Sequence, residues 1–302
     1  MSTLDLDAEI DALRAADARG RGRIERIPDL RWPDGARIAV NFTLDFDAML
    51  LRRLLNEPAQ QLAKGEFGGR VGIWRCIEFF PAMGVTATLF TVGRIAELYP
   101  ESLRAAHAAG FEIADHMWEH HVPKDPALER DHLLKTQAAL EGITGRRPVG
   151  TRSSHSHALL REQGFLYASH DTADHRPYWL ADASGGPGGK HVLLNLPFHY
   201  AIDDAMFYSF AWLGSPNPAQ RISDPERVME MWWDAFLQQY RDGEGGGYLN
   251  VCMHPFVSGR ALRIGMLERL IARMKALPGV WFPSCEQVAR HIHAQHPPKR
   301  LG

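Results

Sequence analysis

FEIADHMWEH, Phe111 to His120, is the stretch on which the fold and the chemistry both turn. Its first half is an apolar run suited to a half-buried strand, and its second half carries His116 and His120, four positions apart. If the chain turns helical after His116, both imidazoles project from one face of that turn and can close on a single divalent cation. In a chain with 15 histidines the same spacing also arises by chance, with both rings merely packed or solvated. The residues on either side of this stretch bear on that choice.

Upstream, Pro100 to Ala109 reads as a helix closed by Gly110 and VTATLFTV, Val85 to Val92, as a strand. Val71 to Phe80 has helical spacing and is expected to stop at Pro81 and Gly84, and ARIAVNFTLDF, from Ala36, is a first buried strand. Before it come the turn signal WPDG, Trp32 to Gly35, and an amphipathic helix over Asp5 to Ala18. Downstream, Arg130 to Ile143 is a helix stopped by Gly145 and Pro148, PVGTR a short strand, His157 to Gln163 a helix capped by Gly164, and FLYASHD the next strand. Leu193 to Pro197, Tyr248 to Met253 and Val280 to Phe282 supply later strands, with Pro225 to Tyr240 and Ala261 to Ala276 as helices. Asp182 to Gly189, DASGGPGG, reads as a surface loop, and Ala48 to Gly65 and Asp203 to Asn217 as further loops. This alternation of strand and helix marks an α/β fold with a parallel sheet or barrel. The expected organisation is a single domain over 1–302, with an arm at 1–35, a barrel at 36–292 and a tail at 293–302.

Composition narrows the function classes. Thirty-four Lys plus Arg against 36 Asp plus Glu leave the 302-residue chain near neutral, which gives no bulk attraction to nucleic acid. No window approaches the roughly 20 apolar residues of a membrane span, and the amino terminus has no secretory apolar core, so a cytoplasmic location is expected. Cys76, Cys252 and Cys285 are widely spaced and lack a CxxC pair, which suits buried reduced thiols.

The chemistry-bearing residues all fall at carboxyl ends of expected strands: Asp45 and Asp47 after the first, His116 after the third, Arg152 after PVG, Asp171 after FLYAS and His254 after YLNVCM. In β/α barrels that face gathers the active site from separate strands. Asp45 and Asp47 are either acidic residues at an exposed strand end or carboxylates that a cation makes tolerable to bury. In the second case Asp47 joins His116 and His120 as metal ligand and Asp45 is left to act as a base. His254, before Pro255, reads as a general acid or a structural histidine bonded to backbone. Arg152 reads as a surface arginine or a paired hydrogen-bond donor to Asp45. His121, Glu119 and His155 read as solvated or helix-starting residues; Trp118, Tyr178 and Trp179 read as pocket wall or core.

The order of these elements, D-x-D, H-x-x-x-H, RPVGTR, HDTADHRPYW and M-H-P, resembles the polysaccharide deacetylase superfamily over roughly Trp32 to Ile292. WPDGARIAVNF, EFGGRVGIWR, RPYW and VWFPSCEQVARHI resemble the branch holding allantoinases, cyclic imide hydrolases and a peptidoglycan-deacetylase-like protein. The resemblance implies a distorted (β/α) barrel, metal ligands at Asp47, His116 and His120, a base at Asp45 steadied by Arg152, and an acid at His254. Two departures stand out: Phe46 separates the usually adjacent aspartates, and Met117 replaces the Ser or Thr after the first histidine. Metal dependence is expected because all three ligands are kept, with zinc the default and iron, manganese, cobalt or nickel compatible with the donor set. The expected activity is hydrolysis of a carbon–nitrogen bond in a small cyclic imide, ureide or N-acyl amide. Its rivals are N-deacetylation of a polysaccharide or peptidoglycan, a catalytically silent ligand-binding barrel, and an unrelated metal-dependent barrel. Branch relatives imply a homotetramer.

Overall fold

The computed structural model describes residues 23–181, 191–208 and 223–298. The expected helix at Asp5 to Ala18, the loop Asp182 to Gly189 and the second half of the Asp203 to Asn217 loop lie outside the described residues. Ten strands form one sheet: β1 (Arg23–Arg26), β2 (Ile38–Phe46), β3 (Thr88–Thr91), β4 (Glu112–Asp115), β5 (Gly150–Thr151), β6 (Tyr167–Ala168), β7 (Tyr178–Ala181), β8 (His191–Asn195), β9 (Gly247–Met253) and β10 (Val280–Trp281). Their order is β1-β7-β8-β6-β5-β4-β3-β2, with both β9 and β10 also paired to β2. β2 to β6 and β8 to β10 pair in parallel, as the alternation of strand and helix requires. β1 and β7 form an antiparallel addition at the far edge that the sequence reading did not contain.

The sheet curls into a distorted (β/α) barrel. Among the described residues β8 and β9 do not pair, and the gap between them is crossed by a single bridge from Asp203 to Cys252. β2 pairs with β3, β9 and β10, and every one of its nine residues is buried, as expected for a parallel strand covered on both faces. Its two faces differ sharply. Ile38, Val40, Phe42, Leu44 and Phe46 enter the large apolar core under the helices, whereas Asn41, Thr43 and Asp45 take the alternate positions and turn into the barrel. β9 repeats the device, with Leu249, Val251 and Met253 in the same apolar core and Asn250 and Cys252 on the opposite face.

Several helices depart from expectation. The segment Ala48 to Gly65 is not a loop: it contains helices at Leu50–Leu54 and Ala59–Phe67, the second running through a wide turn at Gly68–Gly72 into Ile73–Ala82. Pro81 does not end that helix but sits inside its last turn, and the chain reverses at Gly84, where φ is +63°. The helix Cys285–Gln295 is closed at its start by a reciprocal Ser284–Gln287 capping box, an S-x-x-Q signal present in the sequence but not read from it. No helix of the described residues is long and apolar enough to cross a membrane.

One backbone contact in this frame bears directly on the barrel mouth. The wide turn at Gly68–Gly72 packs against Pro255–Ser258, the segment immediately after His254. A Cβ on Gly72 would lie 2.0 Å from the Pro255 carbonyl oxygen, so nothing larger than glycine fits without moving the segment that His254 begins. Gly72→Ala is therefore expected to lower unfolding stability by about 2–3 kcal/mol, the usual range for overpacking, measured by urea denaturation. A change below about 0.5 kcal/mol would mean that this packing is loose.

Candidate metal centre and active site

Period-two alternation explains why two aspartates separated by Phe46 can work together. Phe46 points out into the apolar core, so Asp45 and, one step beyond the strand, Asp47 both reach the barrel side. Both are buried, Asp45 at 6% and Asp47 at 1% exposure. Opposite them, at the end of β4, the helical turn after His116 that would have put both imidazoles on one face is not formed. The chain makes a tight turn with Met117 at φ +68° and His120 at φ +62°, and this, rather than a helical face, brings the two imidazoles together edge to face. Glu119, between them, is tied to Arg94 at 2.7 Å and Arg53 at 3.1 Å and so fixes the turn from outside.

Asp47 Oδ1 lies 3.5 Å from His116 Nε2 and 3.5 Å from His120 Nε2. Two donors bound to one zinc at tetrahedral angles sit about 3.4 Å apart, so the spacing fits a shared ion. His116 Nδ1 is 2.5 Å from the Arg152 carbonyl, which only accepts, so the ring proton is on Nδ1 and the Nε2 lone pair faces Asp47. Neither carboxylate oxygen of Asp47 has a hydrogen-bond partner, although both are buried. A buried carboxylate left in that state is costly, and a divalent cation relieves it; these three side chains therefore fit a metal. Burial, opposed by the charges of Asp47 and Asp45, keeps His120 below its ordinary pKa, in the neutral form that ligation needs.

Arg152 directly follows β5 and is buried inside the barrel, where its Nη1 donates to Asp45 Oδ1 at 2.5 Å. The paired hydrogen bond expected from sequence is not formed. Nη2 is spent on Thr43 Oγ1 at 3.1 Å and Ser169 Oγ at 3.0 Å, and Nε on the Ser169 carbonyl, because β2 and β6 offer these acceptors across the fork. Phe90 and Phe198 cover the guanidinium at 4.2 and 4.5 Å. Burial works against ionisation of Asp45, yet Arg152 foremost, then His116 and His254, hold it below the usual carboxylate range.

His254 follows β9 and aims Nε2 at Asp47 Oδ2 from 3.9 Å. Its Nδ1 donates to Asp204 Oδ1 at 2.8 Å and its backbone N–H to Asp204 Oδ2 at 3.0 Å. Burial opposes a charge on His254, but Asp204, then Asp203 and Asp47, carry its pKa up to about 10. The sequence reading missed both aspartates. They lie in I-D-D-A, Ile202 to Ala205, inside what read as a loop; Asp203 bridges to β9 and Asp204 starts the helix Asp204–Tyr208. Adjacent acids in an otherwise apolar segment were the available signal.

Other expectations resolve as packing. Asp171 stays out of this cluster, accepting from the Tyr178 hydroxyl and the Ala173 N–H. Tyr178 and Trp179 are core residues, and Ser156 caps the helix His157–Glu162 as the HSH motif suggests. All three cysteines are buried free thiols. Beside Ser169, His170 and His157 face each other through Nε2 atoms 3.4 Å apart.

With that geometry in hand, comparison with known proteins gives a consistent picture. The polysaccharide deacetylase family model matches residues 69–164. A crystal structure of a Mycobacterium smegmatis protein assigned as a polysaccharide deacetylase superposes with a TM-score of 0.79 at 33% identity, covering 93% of this chain and 99% of that one. The PuuE allantoinase structure superposes with a TM-score of 0.76 at 29% identity, covering 88% and 93%. The Helicobacter pylori peptidoglycan deacetylase is 26% identical over 271 residues, 81% of this chain and 91% of that one.

Two outcomes follow from the geometry. Zinc at about 100 times its dissociation constant is expected to add about 3 kcal/mol of stability, a rise in Tm of about 5 °C, and Asp47→Asn to abolish the rise; an equal rise in the variant would place the ion elsewhere. Separately, burial first and His157 second press His170 down to about 4. A histidine whose folded pKa is depressed contributes stability that is full above its unfolded value of about 6.5 and disappears as pH falls through about 4, a loss of about 3 kcal/mol. Urea titrations at pH 7 and pH 4 should show His170→Gln losing less stability on acidification than the parent.

Proposed function

The chain belongs to the polysaccharide deacetylase family, and on that premise we propose that it hydrolyses the carbon–nitrogen bond of a small cyclic imide, ureide or N-acyl amide. Members of the family are metal-dependent hydrolases of amide bonds. In the proposed centre Asp47, His116 and His120 hold one divalent cation, zinc by default, although the donor set also suits iron, manganese, cobalt or nickel. When bound, such an ion supplies Lewis acidity to a carbonyl group and acidifies water. The observation that carries this reading is the Asp47 carboxylate, buried, unpartnered and equidistant from two imidazole nitrogens.

The chain's own groups divide the proton transfers. Asp45 is kept ionised by Arg152 through Oδ1, which leaves Oδ2, on the side of His116, to take a proton from the attacking water. His254, kept protonated by Asp204, delivers a proton from Nε2 to the departing nitrogen. A base held low and an acid held high in one barrel mouth is the division of roles that amide hydrolysis demands. A silent binding barrel would have no use for that polarity.

The small-molecule reading draws support from the allantoinase, a ureide hydrolase by name, whose structure this chain matches over 88% of its length. The likeness to the peptidoglycan deacetylase favours glycan N-deacetylation as the second reading. Activity is expected to disappear with chelator and return with added divalent metal, and Asp45→Asn to lower kcat by about 10²–10⁴, the range for losing a general base. Saturable turnover of succinimide, dihydrouracil or a ureide, with no acetate released from N-acetylglucosamine oligomers, would establish the first substrate class; acetate release alone would establish the second. Turnover that survives chelation would overturn the mechanism.

A further inference from the structure

The floor beneath Asp45 is not made by Arg152 alone. Arg152 reaches Asp45 through one N–H, to Oδ1, because the rest of its fork is committed to Thr43 and Ser169. A single hydrogen bond to one oxygen leaves the carboxylate free to swing about its Cβ–Cγ bond, and Oδ2 is the oxygen the base would use. Cys252 occupies the open side. Its Sγ lies 3.7 Å from Asp45 Oδ2 and 3.2 Å from Arg152 Nη1. The thiol is fully buried, and burial first, then the nearby Asp45 carboxylate, pushes its pKa well above the ordinary thiol range, so it remains an S–H that can donate. It accepts from Arg152 and donates to Asp45, which closes a ring of three groups: guanidinium, thiol and carboxylate.

The placement follows from the fold. Cys252 pairs with Thr43 across β2 and β9 and shares the barrel-facing side of β9 with Asn250, which binds Thr43 in turn. Asp203, crossing the gap in the barrel, bridges to Cys252 from the other side. The backbone of Cys252 is thus held from both sides, and its sulfur stands on the barrel face within reach of Arg152 and Asp45.

We propose that Cys252 is a positioning residue that supplies the second hold on Asp45, fixing the carboxylate plane so that Oδ2 faces the reacting centre. This rests on the role proposed for Asp45. It acts through Asp45 and touches no substrate.

The test uses the full chain in two arms. In the first, infrared spectra of the metal-free protein locate the Cys252 S–H stretching band by subtracting that of Cys252→Ala. The band should lie at lower frequency than those of Cys76 and Cys285, as a donor to a carboxylate does, and should move up in Asp45→Asn. In the second, steady-state kinetics compare Cys252→Ala with Cys252→Ser. Alanine is expected to lower kcat about 10- to 150-fold with KM and metal stoichiometry unchanged, the size of one lost hydrogen bond to a charged group, and serine, which keeps a donor, to restore kcat to within about threefold of the parent. A Cys252 band coincident with the other thiols and unmoved by Asp45→Asn would overturn the proposal even if the protein hydrolysed no amide. Equal kcat losses in alanine and serine, following their losses in unfolding stability, would reduce the residue to packing. A parental kcat in Cys252→Ala would overturn it outright. Absence of amidase activity in the parent together with a shifted thiol band would instead contradict the function proposed for the site, not the contact.

Discussion

Four carboxylates gathered inside one barrel mouth set the constraint under which this molecule is built. Asp45, Asp47, Asp203 and Asp204 are each less than 10% exposed, and only one guanidinium, that of Arg152, and one imidazole with a raised pKa, that of His254, stand among them. With every group ionised the cluster carries two uncompensated negative charges; burial foremost raises the pKa of Asp203 to about 7, so near neutral pH that group is partly protonated and the imbalance lies between one and two, of the sign a cation relieves. At an effective dielectric constant of 20, two unit charges 4 Å apart interact by about 4 kcal/mol, comparable with a large share of a domain's net stability. Asp45 is answered by Arg152 and Asp204 by His254, whereas Asp47 makes no hydrogen bond and faces only imidazole nitrogens, those of His116 and His120 at 3.5 Å and that of His254 at 3.9 Å. The charge imbalance and the unpartnered carboxylate thus point to the same atoms.

The barrel makes this concentration possible by separating its two faces. Along β2 and β9 the odd and even positions divide between an apolar core beneath the helices and a polar interior, so the cost of burying charge falls on an interior already furnished with donors. Arg152 shows the same economy. Its five donors are distributed over Asp45, Thr43, Ser169 and Cys252, so the guanidinium serves as a strut joining β2, β5, β6 and β9 as well as a counter-charge. The gap between β8 and β9 is left open as strand pairing but is spanned by Asp203, whose neighbour Asp204 holds His254.

Legibility in the sequence followed locality. Strand ends with a polar residue after an apolar run, such as Asp45, His116 and His254, declare themselves through period alone; Asp45, Asp47, His116, Arg152 and His254 stand near one another in the barrel, whereas Asp171, placed by the same rule, does not join them. What escaped depends on contacts that no local pattern contains. The turn after His116 needs positive φ at Met117 and His120, a conformation uncommon outside glycine that no local pattern announces, and Glu119 ties it to Arg53 and Arg94 from outside. Asp203 and Asp204 hid in a segment without strand periodicity, and Arg152 was credited with a bidentate pair because the competing acceptors on Thr43 and Ser169 lie 109 and 17 residues away. The antiparallel pair β1 and β7 went unread for the same reason: β1 is RIER, three charged residues around one isoleucine, which becomes a strand only because β7 offers an edge.

Cys252 belongs to that second group, yet its position could have been derived. Asn250, Cys252 and His254 share one parity on β9, as Thr43, Asp45 and Asp47 do on and just past β2, and the two strands run in parallel with Thr43 opposite Cys252. Given that register, the separation of the two aspartates by Phe46 ceases to be a departure in need of excuse. Adjacent aspartates within a regular strand would point to opposite faces, and one of them would have to enter the apolar core with Phe42 and Leu44. With an aromatic between them, both carboxylates fall on the side where Arg152, Cys252 and the histidines stand, and the phenyl ring anchors the strand end between them in the hydrophobic layer. The spacer is therefore part of how the site is aimed, and a site of this kind tolerates the D-x-D spacing because the strand continues regularly as far as its second acid.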